Sequence, residues 1–229
     1  MSTSIIPQLV RKDYMLTRKV ILAFGLVALA GVVLTALLFE RLPPWALVNM
    51  GFLLLMSPAA TCGLVLLMTT VVFEKEKSTQ AFIMSLPVTP KQYTIAKLAI
   101  NLSVFGAFWL ATSAISFYFA FGRGLFPDGT IPFVVMLFLG VFLAYAGILS
   151  VGMWRQSLGI TVLCIALFEM GTSGYLWAIA FFEPVAGFMR GADAVWNPAA
   201  VGIVTLQVLA ILTLITATLF FQGRKRDFV

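Results

Sequence analysis

Six runs of about twenty mostly apolar residues, near 20–39, 45–73, 98–121, 132–152, 158–182 and 200–221, leave this chain of 229 residues little choice of fold. A helix rises about 1.5 Å per residue, so each run is long enough to cross a hydrocarbon core of roughly 30 Å. Inside such a core every backbone donor and acceptor must find its partner within the protein, and an isolated run achieves that only as a helix. Charged residues make up 10% of the chain, too few to coat a soluble domain of this size. The period-two alternation of an outer-membrane barrel is absent. The expectation is an all-α integral membrane protein, one transmembrane domain over 1–229 with no soluble domain left over. The first run follows Arg18 and Lys19 and is succeeded by Glu40, Arg41 and two prolines, with no small-residue cleavage site. It therefore reads as a retained span and not as a signal peptide.

The cations set the orientation. Counting loops alternately, one side collects Arg11, Lys12, Arg18, Lys19, Lys75, Lys77, Lys91, Lys97, Arg155, Arg224, Lys225 and Arg226; the other has only Arg41, Arg123 and Arg190. That asymmetry places both termini in the cytoplasm. The net charge of +6 is thus a topology signal, and no nucleic-acid partner is expected because the basic groups are not gathered in one patch. Cys62 and Cys164 lie in different spans and read as buried structural thiols.

Residues 1–19 read as an amphipathic elbow helix on the headgroup boundary. Pro7 suits a first turn, Ile6, Val10 and Tyr14 form an i, i+4 row, and Arg11 with Arg18, like Lys12 with Lys19, recur two turns apart. Pro58 should interrupt the second span, with Ser57 and Thr61 available to bond the freed carbonyls. Thr89, Pro90 and Gln92 fit a capping box, so the third helix should begin near residue 90, well before its apolar part at 98. Between 171 and 198, Gly171 and Gly174 suggest an early end to the fifth helix and re-entrant segments near 174–196; a plain long fifth span is the simpler alternative.

Much chemistry is excluded outright. Without histidine there is no imidazole base or metal ligand for intramembrane proteolysis of the serine or metallo type. No metal site or catalytic residue is expected. The G-x-x-x-x-G-K-[ST] pattern is absent, so any ATP-driven work must come from another subunit. Glu169 is the one ionisable group well inside a span. It is either a substrate- or proton-handling group on a translocation path, or a neutral acid hydrogen-bonded in the bundle or raised to the interface.

Residues 74–97 form the longest interval unsuited to lipid. EKEK is followed by STQAFIMSL, whose Phe82, Ile83 and Leu86 share one side of any short helix capped at Ser78 or Thr79, with Ala81 and Ser85 on another. Two turns of helix cannot hold themselves together in water, and a greasy centre with a charged rim suits docking into a protein groove. The phrase FEKEKSTQAFIMSLPVTPKQYTIAKL resembles the segment between the second and third spans of permeases of the type-2 ABC transporter family, and LVRKDYMLTRK resembles that family's N-terminal elbow helix.

The resemblance implies a half-transporter in the cytoplasmic (inner) membrane of bacterial type. It would pair with a second copy or a sister permease and seat a coupling helix in a separate ABC ATPase subunit, which would bind the ATP and Mg; this chain would hold no cofactor. It implies an exporter and a coupling region made of Glu74, Lys75, Glu76, Lys77, Ser78, Thr79, Gln80, Ala81, Phe82, Ile83, Met84, Ser85 and Leu86. Phe82 would be the buried knob, and Glu74 would end the second helix against the ATPase, Lys91 or Lys97. A cytoplasmic tail, 222–229, closes the chain. Alternatives from other classes are a lipid-modifying intramembrane enzyme using Glu169 or Asp193, and an uncoupled channel or substrate-capture subunit.

Overall fold

The computed structural model describes residues 5–77, 82–83 and 88–224. Six helices are long and apolar enough to cross a membrane: α1 (Ile5–Leu38), α2 (Pro44–Glu76), α3 (Pro90–Gly122), α4 (Asp128–Arg155), α5 (Leu158–Phe181) and α6 (Pro198–Gly223). No strand occurs among the described residues. The fold is the all-α bundle the apolar runs require. An even number of crossings brings the start of α1 and the end of α6 to one end of the bundle, called here the basic end.

Two groups of helices make up the bundle. One is α1, α2 and α3 in mutual contact; the other is α4 with α5 and α6, and α4 joins them by also meeting α2 and α3. The central core lies where the groups meet, with Leu67, Val71, Phe105, Tyr145, Leu149 and Met153 all buried. The Phe105 and Tyr145 rings stack with centroids 3.7 Å apart. Gly63 permits this stack, because a Cβ there would stand 2.7 Å from both rings.

Pro58 remains inside α2. It cannot donate to the carbonyl of Leu54, and that oxygen is covered from α1 by Gly31, where a Cβ would come within 2.4 Å of it. Close helix approach, not side-chain repair, covers the gap. Ser57 and Thr61, expected to bond freed carbonyls, do not do so. One π-helical turn, Met68–Val72, interrupts α2 just before its last turn, and another, Tyr118–Gly122, ends α3. Such turns are often found at functional positions.

Two sequence expectations are corrected here. The elbow is not a separate element: one helix runs without a break over Ile5–Leu38. Between Pro7, harmless in the first turn, and Gly25 nothing interrupts it. Its buried row is Leu9, Asp13 and Thr17; Ile6 and Val10 are half-buried beside it, and Tyr14 is 48% exposed. Arg11, Lys12, Arg18 and Lys19 also lie on the exposed side. Second, α5 continues unbroken through Gly171 and Gly174. In a bilayer a glycine has no competing solvent bonds to offer its backbone, so the helix persists. After Phe181 a single helical turn, Glu183–Ala186, leads back to α6, whose start is capped by Asn197 accepting from the Ala200 amide at 2.8 Å.

Candidate functional site

The basic end is held by buried charge. Asp13 of α1, Glu74 near the end of α2 and Lys97 of α3 are 0%, 5% and 1% exposed. Lys97 Nζ lies 2.8 Å from Asp13 Oδ2 and 2.7 Å from Glu74 Oε2. Lys12, half out of the cluster, reaches Glu74 Oε1 at 2.5 Å and Asp13 Oδ1 at 3.1 Å. The Tyr93 hydroxyl donates to Glu74 Oε2 at 3.0 Å, and the Lys97 ammonium sits 5.1 Å from the Tyr93 ring centre. Two carboxylates and two ammonium groups cancel, the condition under which charges can leave water together. Three helices are thereby pinned at one point.

All of these groups lie outside the apolar spans 20–39, 45–73 and 98–121. Burial pushes the Glu74 carboxyl up, but Lys97 and Lys12 outweigh it and hold the group below the ordinary carboxylate value. Burial pulls Lys12 down, yet its bond to Glu74 and the charge of Asp13 carry it above the ordinary lysine value. Burial, and then the neighbouring Glu74 carboxylate, push the Tyr93 phenol far up. Lys97 goes the other way: burial outweighs the pull of Asp13 and Glu74 and draws its ammonium below the ordinary lysine value.

Around it the local sequence reads as expected. Thr89 caps α3 by accepting from the Gln92 amide at 3.2 Å, and Gln92 returns the bond from Thr89 N at 2.9 Å, with Pro90 in the first turn. Glu74 meets Lys97, one of the partners expected for it. Lys75, Glu76 and Lys77 are exposed. Of the coupling segment, Ser78, Thr79, Gln80, Ala81, Met84, Ser85 and Leu86 lie outside the described residues. Phe82 and Ile83 do not share a face: Phe82 is 68% exposed, whereas Ile83 is buried among Leu9, Tyr93 and Ala96. Residues from the starts of α1 and α3, Leu9 with Tyr93 and Ala96, form the cleft that takes the isoleucine.

A polar thread runs inward from this cluster. Asn101, one turn below Lys97, donates to the Lys97 carbonyl at 2.9 Å and to Thr70 Oγ1 at 3.0 Å in the π turn of α2. The Tyr145 hydroxyl of α4 lies 3.4 Å from both Asn101 Oδ1 and the Gly63 carbonyl, so its one proton serves one of them at a time.

Tyr145 is also part of a mid-bundle groove of about 320 Å³ between α2 and α5, floored by α4. Glu169, the twelfth of 24 residues in α5, lies in this groove with Thr172 and Ser173, facing Ser57 and Thr61 of α2. Glu169 is exposed and forms no hydrogen bond or ion pair among the described residues. The structure gives the acid no bundle hydrogen bond among the described residues, and α5 does not end at Gly171. A charged acid at mid-span costs roughly 2.5–3.5 kcal/mol on insertion scales.

Sequence reasoning anticipated the Glu74–Lys97 pairing and the cap, and singled out Glu169, which the structure places in the groove. It missed Asp13, Tyr93, Asn101, Thr70 and Tyr145. The available signal was a lone acid on an i, i+4 row, Leu9–Asp13–Thr17, inside an otherwise basic segment.

A family model described as ABC-2 family transporter protein matches residues 8–222. No curated protein matches the chain. No solved structure does either.

Proposed function

On the premise that the chain belongs to the ABC-2 family of transporter proteins, and so is a multi-pass permease of an ABC-type transporter, we propose that it is the membrane half of an ATP-driven exporter. The family implies an ABC ATPase partner in general terms; our reading adds the docking point, the pairing and the direction. In this reading the basic end faces the cytoplasm, which the positive-inside count supports. Phe82 enters a cleft of the ATPase subunit, which holds ATP and Mg, while Ile83 roots the segment in the permease. Lys75, Glu76 and Lys77 supply a polar rim.

One observation carries this reading: the exposed Phe82 stands beside a buried isoleucine on an end that four mutually bonded charges tie to three helices. A push on that segment moves α1, α2 and α3 as one body. Two copies, or this chain and a sister permease, enclose the path between them, with the α2–α5 groove and Glu169 on its wall. The α5 helix suits that task because only Thr161 and Ile179 along it are buried in the single chain.

The test is Phe82→Asp in the assembled complex. The variant inserts at wild-type level, yet transported cargo no longer stimulates ATP hydrolysis. Normal cargo-stimulated hydrolysis in that variant would overturn the docking assignment.

A further inference from the structure

The α2–α5 groove also indicates the chemistry of what it takes. Its polar groups are one carboxylate, Glu169, the Tyr145 phenol already engaged with Asn101 and Gly63, and four aliphatic hydroxyls, Ser57, Thr61, Thr172 and Ser173; no lysine or arginine lines it among the described residues. Most hydroxyls in the helices are already committed. Thr35, Thr70, Ser150 and Thr218, for example, each donate to the carbonyl four residues back at 2.7–2.8 Å. None of the four groove hydroxyls makes a hydrogen bond among the described residues. Their oxygens are free to turn toward a positive group, and the carboxylate beside them lacks a cation.

The remaining walls are apolar and aromatic. Phe52 is 40% exposed at one side, and the Phe105–Tyr145 stack forms part of the lining. Aromatic faces attract cations, most of all where water is thin. A groove of about 320 Å³ that is mostly apolar, with a few convergent polar groups, has the size and make-up of a small-molecule site.

We infer that the cargo site of this permease takes lipophilic organic cations, with Glu169 as the counter-charge and the groove hydroxyls as its acceptors. This inference rests on the transport reading above but is tested apart from it. A cation enters where the acid is unpaired, and its apolar body covers the aromatic wall. An anion of the same size meets uncompensated repulsion.

The experiment uses the full-length permease with its ATPase in neutral phosphatidylcholine nanodiscs. The probes are tetraphenylphosphonium and tetraphenylborate, near-isosteric ions of opposite charge, with binding measured by equilibrium dialysis. Tetraphenylphosphonium should bind saturably to wild type, at least about tenfold more weakly to Glu169→Gln, and within about threefold of wild type to Glu169→Asp. Tetraphenylborate should show no saturable site. Equal phosphonium binding to Glu169→Gln, or saturable binding of the borate, would overturn the inference. A second arm measures ATP-driven phosphonium movement in proteoliposomes. Binding without movement sinks the transport reading and leaves the cation site standing; ATP-driven movement of other cargo without phosphonium binding sinks the cation site alone.

Discussion

At the basic end four charges are close together, three of them buried, and each touches its opposite; half-way along α5 one carboxylate stands with none. The same chain treats ionisable groups in two ways. Where Asp13, Glu74, Lys12 and Lys97 meet, desolvation is offset by short contacts among fixed partners, and the product is rigidity. Where Glu169 faces the groove, no described residue offsets the charge, and in the proposed reading that leaves a demand for a ligand. A paired charge holds helices together, and an unpaired one recruits something from outside. The first region is therefore read as a clamp and the second as a binding surface.

The largest effect that tests this contrast is on stability. Lys97→Met leaves Asp13 and Glu74 buried without their shared ammonium and should cost about 3–5 kcal/mol, the range found when one partner of a buried pair is removed. Denaturant unfolding in detergent measures it, and a cost near zero would mean that the cluster clamps nothing.

Next comes pH. The Glu74 carboxyl is held below its ordinary value of 4.5, so its contribution to stability is complete above that value and disappears as pH falls through the lower folded value. The thermal midpoint of wild type should therefore drop on acidification below about pH 4.5, and Glu74→Gln, less stable at neutral pH, should show a shallower acid limb.

A smaller change is expected at the edge of the clamp. Thr89→Ala removes the cap that starts α3 below the coupling segment and should cost about 1 kcal/mol in the same unfolding assay. The least effect on stability should come from Glu169→Gln, within about 0.5 kcal/mol of wild type, since no partner is lost. A loss of several kcal/mol there would show that Glu169 has a structural partner, and the contrast would fail.

The parts legible in the sequence were those governed by local or compositional rules. Six helices follow from run length, and the α3 start follows from Thr89-Pro90-Lys91-Gln92. Glu74 and Lys97 were recognisable as opposite charges on two helices joined by a short segment. What escaped depends on tertiary choice. Hydrophobicity favours Ile6–Val10–Tyr14 as the buried row of the N-terminal segment. The lysine waiting on α3 selects the neighbouring row instead, because Asp13 lies on it and brings Leu9 and Thr17 inward. The same selection fixes which of Phe82 and Ile83 turns inward, since Leu9 then forms the wall that Ile83 meets. Gly171 and Gly174 misled because glycine breaks helices in water, where the freed backbone can bond to solvent, and a bilayer withdraws that option.

The clamp also imposes an order on biogenesis. Asp13 emerges from the ribosome 84 residues ahead of Lys97, a delay of roughly 4–17 s at about 5–20 residues per second. By the end of that interval the first two helices are made, and two acids meant for burial have only Lys12 between them. Final seating of the N-terminal helix is thus a late event that waits for the third helix to arrive, and a chain stalled before residue 97 would present an unfinished, acid-bearing seam to insertion and quality-control machinery.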